Sequence, residues 1–234
     1  MGPYQSAFGA AFELLRSGDP GLWQVIALSV KVSGSATLLA ALVGLPLGAW
    51  LALAAFPGRG ALIAVLNALM GLPPVVVGLM VYLALSRAGP LGPLGLLFTP
   101  AAMVIAQTLL VAPIIAALSR QTIEDAWREY GEQLRSLNAS RPQAALTLLW
   151  DTRVALVTTV LAGFGRAAAE VGAVMIVGGN IEGLTRTMTT AIALETAKGD
   201  LPLALGLGLV LLALVVLVNA AAQGLRRRAA RLHG

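Results

Sequence analysis

Arg166 and Glu170 stand four residues apart in GFGRAAAEVGAVMIVGGNIEG, residues 163–183, surrounded almost entirely by small and apolar residues. On a continuous helix that spacing sets both side chains on one face. An ionisable group at membrane depth costs about 2.5–3.5 kcal/mol on the insertion scale, so such a pair is expected to face protein or water and to pair. Two readings stay open: the pair marks a path for a polar cargo, or it neutralises itself and holds a helix contact. Under either one, Ala167, Ala168, Ala169, Gly172 and Ala173 allow a neighbouring helix to approach closely. Other chemistry is excluded by inventory. The chain has no cysteine, and its one histidine, His233, sits in the tail, so thiolate metal sites, histidine metal clusters and Ser-His-Asp catalysis have no ligands to build on. An intramembrane carboxyl protease needs paired acids, and only Glu170 qualifies.

The elements that must hold this pair follow from composition. Apolar residues make up 58% of the 234, and charged residues only 12%, about half the soluble average of roughly 25%. The surface of such a chain is built to meet lipid. The formal charge of +5 does not point to nucleic acid, because the basic residues form no patch beside aromatic platforms and aromatics are only 5%.

A helix crossing a hydrocarbon core of about 30 Å needs about 20 residues. Charge-free runs supply five such spans: residues 32–58, 60–86, about 98–119, 154–177 as interrupted by Arg166 and Glu170, and 201 to about 222. The fold class expected is therefore all-α, a polytopic membrane protein with about five transmembrane helices and room for a sixth short or interfacial helix at the N-terminus. The N-terminus lacks the pattern of a cleaved secretory signal, so the first span is expected to be retained. Pro73 and Pro74 remove two backbone donors inside the second span and predict a kink or break there, either lining a wet path or serving packing alone.

Five crossings put the termini on opposite sides, and the excess of Lys and Arg marks the cytoplasmic one. With the C-terminus inside, Arg59, Arg120, Arg128, Arg135, Arg141, Arg153, Arg226, Arg227, Arg228 and Arg231 are cytoplasmic, ten against the five of Arg16, Lys31, Arg87, Arg186 and Lys198 outside. The expected arrangement is one transmembrane domain over 1–234, N-terminus outside, with a cytoplasmic loop at 120–152 and a cytoplasmic tail at 226–234. No internal repeat is visible, and a single copy of five spans does not easily enclose a path, which points to a dimer about a two-fold axis.

The loop at 120–152 is the polar island of the sequence. Ile123, Trp127, Tyr130, Leu134 and Leu137 fall at spacings of four, three, four and three, one face of a helix. The opposite face carries Glu124 with Arg128, and Glu132 with Arg135 or Ser136. Asn138 suits a left-handed helix stop, and Ser140, Arg141 and Pro142 read as an N-cap with proline in the first turn of a second helix reaching about Trp150.

This helix, turn and helix resembles the cytoplasmic loop of ABC importer permeases, with its pattern of Glu-Ala-Ala, three residues, Gly, nine residues and Ile-x-Leu-Pro. The frame falls on Glu132, Gln133 and Leu134, then Asn138, then Leu148, Trp150 and Asp151; Gln133 and Leu134 replace the alanines, Asn138 the glycine and Asp151 the proline. The stretches MGLPPVVVGLMVYLALSRAGPLG, AEVGAVMIVGGNI and TRTMTTAIALETAKGDLPLALGLGLVLL are similar to oxyanion permeases for molybdate, sulfate and tungstate, most of all to the tungstate-uptake type.

The resemblance implies an ABC importer type I permease fold, in an inner membrane of bacterial or archaeal type. It implies partners: a second copy of the chain, a cytoplasmic ATP-binding subunit dimer, an extracytoplasmic substrate-binding protein and membrane lipid, with no nucleic acid. It implies no enzyme activity and no cofactor on this chain, with ATP and Mg held by the ATPase. That agrees with the absence of any Gly-x-x-x-x-Gly-Lys-Ser/Thr run in the sequence. ATPase coupling is carried over to Glu129, Glu132, Gln133, Leu134, Leu137, Asn138, Ala139 and Ser140, and a translocation pathway or gate to Pro73, Pro74, Arg166 and Glu170.

The outer loop 178–200 is where the binding protein is expected to dock. Thr185, Thr187, Thr189 and Thr190 with Arg186 either meet a tetrahedral oxyanion or belong to a re-entrant amphipathic helix. Permeases for molybdate or sulfate and, from another class, an ATP-independent carrier are the rival functions. The topology makes a direct prediction. A cysteine placed at Gln133, in a chain that has none, should react with an impermeant maleimide only after the membrane is opened; reaction from the outside in intact cells would reverse the orientation.

Overall fold

The structure is a computed structural model. It describes residues 20–232 with isolated positions at 9, 16 and 18, and side chains through 221 and at 223 and 224. The expected N-terminal interfacial helix, the side chains of Arg226, Arg227, Arg228 and Arg231, and His233 lie outside the described residues. Among those that are described there are nine α-helices and no strand. They are α1 (Pro20–Leu53), α2 (Arg59–Leu69), α3 (Pro74–Leu85), α4 (Pro100–Ser136), α5 (Arg141–Asp151), α6 (Arg153–Ala168), α7 (Gly172–Gly178), α8 (Met188–Lys198) and α9 (Leu201–Leu232), with a 3-10 turn at Gly92–Leu94.

Three of these, α1, α4 and residues 201–221 of α9, are long and apolar enough to cross a membrane, and the count rises to five if α2 with α3 and α5 with α6 each form one broken span. The expected second span is thus two helices. The chain leaves α2 through tightened turns, with the N–H groups of Met70, Gly71 and Leu72 donating to Asn67, Ala68 and Leu69 carbonyls at 3.1–3.3 Å. It re-enters helix at Pro74, a position where a missing N–H removes no helical bond. The expected end of span three at Ser119 is corrected as well: α4 runs without interruption to Ser136. At 1.5 Å per residue its 37 residues measure about 55 Å, well beyond a hydrocarbon core of about 30 Å.

The chain forms two compact units, one of residues 1–34, 74–107 and 168–234, the other of residues 35–73 and 108–167. In the first, α8 and α9 pack on the N-terminal part of α1 through Leu22, Ile26, Met188, Ala191, Leu207 and Val210. In the same unit α3 lies tightly on α7: a Cβ added to Gly78 would stand 2.8 Å from Ala173 Cα. In the second unit α1, α4 and α6 meet through Ala40, Ala41, Val111, Ile115 and Ala167, and α2 joins through Leu66 against Leu51, Ala116 and Ala117. Small residues at these crossings fit a membrane bundle, where helices associate by close packing rather than by escape from water.

Gly48 sets the tightest crossing. A Cβ there would overlap Ser119 Oγ and come within 2.6 Å of the Ala116 carbonyl and 2.9 Å of the Arg120 backbone nitrogen, neither of which can swing away. Gly48→Val should therefore lower the melting temperature of the solubilised protein through a cost of about 1–3 kcal/mol or more. Gly60→Ala, where nothing lies within 4 Å, should change it little; equal behaviour of the two would contradict this crossing.

Candidate functional site

The polar island folds as a hairpin on the end of α4, within the second unit. Ile123, Ala126, Trp127, Tyr130 and Leu134 of α4 pack with Leu148, Ala145 and Leu149 of α5 and with Ala49 and Ala52 of α1. The apolar face expected from spacing is therefore the buried one, save for Leu137, which is 75% exposed and takes no part. Asn138 ends α4 in the left-handed region at φ 52°. Its N–H donates to the Arg135 carbonyl at 3.0 Å and that of Ala139 to the Leu134 carbonyl at 3.0 Å, the two bonds of a Schellman stop. Ser140 then opens α5: its N–H donates to Gln143 Oε1 at 2.8 Å, and its hydroxyl donates to the same oxygen at 2.8 Å. Between α5 and α6 the chain bends by 76°. Of the residues assigned to coupling, Glu129, Glu132, Gln133, Leu137, Asn138 and Ser140 are exposed along the hairpin, whereas Leu134 and Ala139 are half-buried.

Above the hairpin lies a charge cluster whose partners are not neighbours in sequence. Glu124 was expected to pair with Arg128 on an exposed face; instead its carboxylate lies between two guanidiniums, one oxygen on Arg59 and the other on Arg120 Nη1 at 2.5 Å. Arg59 also donates through Nε to the Leu51 carbonyl at 2.8 Å, closing the C-terminal end of α1, where a cation complements the helix dipole. Arg128 pairs with Asp125 at 3.2 Å, and both are largely exposed. Arg135, one of the two partners expected for Glu132, turns elsewhere: its Nε donates to the Gly131 carbonyl at 3.0 Å, and its guanidinium lies over Trp127. Arg59 stands 65 positions from Glu124, so helical spacing had no means of finding this cluster.

The pair at 166 and 170 is not on one helix. α6 ends at Ala168, between the two, and α7 begins at Gly172. Glu170 is 3% exposed; its Oε1 accepts the Ala173 N–H at 3.1 Å, and its backbone carbonyl accepts the Thr189 hydroxyl at 2.9 Å. The carboxylate thus closes the start of α7, satisfying a donor that the helix break leaves open. Arg166 is half-buried near the end of α6. Pro73 and Pro74 stand at the other break, between α2 and α3.

The threonines of the loop after α7 are committed to the fold. Thr185, fully buried, donates to the Gly178 carbonyl at 2.5 Å and accepts the Ile181 N–H at 2.9 Å. The Thr187 N–H donates to Thr190 Oγ1 at 2.9 Å, closing the first turn of α8, and the Met188 N–H reaches Ser29 Oγ on α1 at 2.8 Å. Of the two readings of this loop, the helix is the one observed. The Thr185 and Thr189 hydroxyls donate to backbone carbonyls, and that of Thr187 lies 3.2 Å from those of Thr189 and Thr190. Among the described residues no group of three His, Cys, Asp or Glu side chains could hold a metal ion.

Comparison with known proteins agrees with this architecture. Residues 44–231 match the family described as "Binding-protein-dependent transport system inner membrane component". The tungstate uptake system permease protein TupB of Peptoclostridium acidaminophilum is 44% identical over 94% of this chain and 96% of its own length. A probable anion ABC transporter permease protein of Haloferax volcanii is 39% identical over 88% of this chain and 91% of its own. The molybdenum transport system permease protein ModB of Escherichia coli K12 is 32% identical, over 76% and 82%.

The loop geometry is open to test. Thr185→Val removes both hydroxyl contacts from a buried site and should cost about 1–3 kcal/mol in a thermal melt, with Thr185→Ser close to wild type. A Val variant as stable as wild type would contradict the role given to this hydroxyl.

Proposed function

Because the chain belongs to the family of binding-protein-dependent transport system inner membrane components, we propose that it is the permease subunit of an ATP-driven importer that moves an oxyanion, tungstate first, into the cytoplasm by alternating access. Its fold is that of the ABC type I permeases. The observation that carries the choice of tungstate is the 44% identity to TupB along nearly all of both chains, against 32% over a shorter stretch for the molybdenum permease. Molybdate is the second reading, carried by that latter relative.

The mechanical part of the proposal rests on α4. A single helix joins the apolar spans to a hairpin whose exposed residues, Glu129, Glu132, Gln133, Leu137, Asn138 and Ser140, are available to a partner. Leu134 and Ala139 fix the hairpin from within. In the proposed complex a dimer of ATP-binding subunits, carrying ATP and Mg, grips the hairpin from the cytoplasm, and α4 carries the displacement towards the spans. A second copy of the chain completes the path, an extracytoplasmic binding protein delivers the anion, the N-terminus lies outside, and the tail lies in the cytoplasm.

Arg166, Glu170, Pro73 and Pro74 sit at the two places where spans break, and the proposal places the pathway or gate beside them. Glu170 serves it by holding α7 in place, as its hydrogen bond to Ala173 supports.

Reconstitution with the partner ATPase and binding protein tests this reading. Tungstate uptake should require ATP and exceed molybdate and sulfate uptake; uptake by the chain alone without nucleotide would replace the importer with a carrier. Asn138→Pro should leave membrane insertion intact while abolishing co-purification with the ATPase and uptake together. Normal co-purification and normal uptake by that variant would remove the hairpin from the mechanism.

A further inference from the structure

Arg59 ties three helices of the second unit together through one side chain. It is the first residue of α2, and the five residues 54–58 separate it from the end of α1 at Leu53. Its Nε donates to the Leu51 carbonyl at 2.8 Å and its Nη2 to the Ala52 carbonyl at 3.4 Å, both at the end of α1. The same Nη2 donates to Glu124 Oε1 on α4. The corner between α1 and α2 is closed on itself as well: Trp50 stacks on Phe56 with ring centres 5.4 Å apart, the Ala54 N–H donates to the Trp50 carbonyl at 2.9 Å, and the Arg59 N–H donates to the Phe56 carbonyl at 3.3 Å.

The other contacts between α4 and the end of α1 are apolar, through Ile123 and Ala126 against Ala49 and Ala52. Such contacts are non-directional and do not by themselves fix one helix lengthwise on another. A guanidinium fork does, because its donors have a fixed geometry. Arg120 binds the same carboxylate from one turn earlier on α4, so it travels with Glu124 whatever α4 does.

We propose that Arg59 is a positioning residue for transport, which takes a displacement of α4 at Glu124 and delivers it to the corner between α1 and α2. From there α2 runs towards the break at Pro73 and Pro74. Ion pairs and rigid helices are the kind of network through which distant sites are coupled. The inference rests on the importer reading above and adds to it a route that leaves α4 sideways, before the spans.

The two arginines make the inference separable from charge balance. Each is a cation on the one carboxylate, so loss of either leaves one cation facing one anion. Only Arg59 joins α4 to other elements through that carboxylate. A cluster that served charge balance alone would respond alike to both losses; a mechanical tie would not.

The test uses the whole complex in vesicles, this chain with its ATPase and binding protein, and measures tungstate taken up per ATP hydrolysed. Arg59→Gln should still co-purify with the ATPase and hydrolyse ATP, while the uptake ratio falls about tenfold. Arg120→Gln should hold the ratio within about twofold of wild type. Lysine keeps the charge at either position but lacks the fork, and it serves if a glutamine variant fails to fold: Arg59→Lys should lower the ratio severalfold and Arg120→Lys should not.

A wild-type ratio in Arg59→Gln or Arg59→Lys would overturn the proposal, and so would equal losses at positions 59 and 120. Wild-type uptake without nucleotide would remove the importer reading and this inference with it, whereas coupled uptake that ignores Arg59 would remove the inference alone.

Discussion

Hydrocarbon accepts no hydrogen bonds, and the fold depends on that constraint more than on any single contact. A continuous helix meets it without help, as α1, α4 and α9 do. The segments that break off inside the apolar sequence cannot, and the polar side chains of the first unit collect where they do. Glu170 takes the Ala173 N–H, Thr185 serves Gly178 and Ile181 together, and Ser29 takes the Met188 N–H. All three are buried, where a polar group without a partner costs stability. Here each one closes a helix end that lipid would leave open.

The second unit is built differently, around one long helix. α4 leaves the apolar spans as the same helix that receives α5, so the hairpin cannot tilt without displacing the shaft above it. Leu148 and Ala145 seat α5 on Ala126 and Tyr130, while Glu124 binds α4 to Arg59 beside the end of α1. Arg120 stands on the same carboxylate, which leaves the cluster with an excess of one positive charge. Breaking such a cluster from one side strands a charge, so it holds its three partners together more firmly than their separate contacts suggest. In the proposed importer, the uninterrupted helix and the pinned base would carry a displacement at Glu132 or Asn138 along α4.

Much of this was legible from spacing alone. The amphipathic run from Ile123 to Leu134, the stop at Asn138 and the start at Ser140 are local events, decided by side chains within four or five positions of one another. The break at Pro73 and Pro74 is local in the same sense, since a proline removes its own donor wherever it stands. The errors are equally informative. Arg166 and Glu170 satisfy the spacing of a helical pair, yet the helix ends between them. Leu137 continues the apolar period and is left in the open because the hairpin turns before it can reach α5.

Composition and periodicity by themselves determined that the chain is helical, that it lives in lipid, and that residues 122–150 form two helices joined by a sharp turn. Those properties depend on the solvent and on contacts a few residues long. Tertiary structure alone decided which polar groups are occupied and which are exposed: that Glu124 belongs to Arg59 and Arg120 together, and that Thr185 serves the backbone of its own loop. A charge or a hydroxyl in a one-dimensional string has no partner until packing brings distant helices together, and in a membrane that partner decides whether the group is a structural tie or a site.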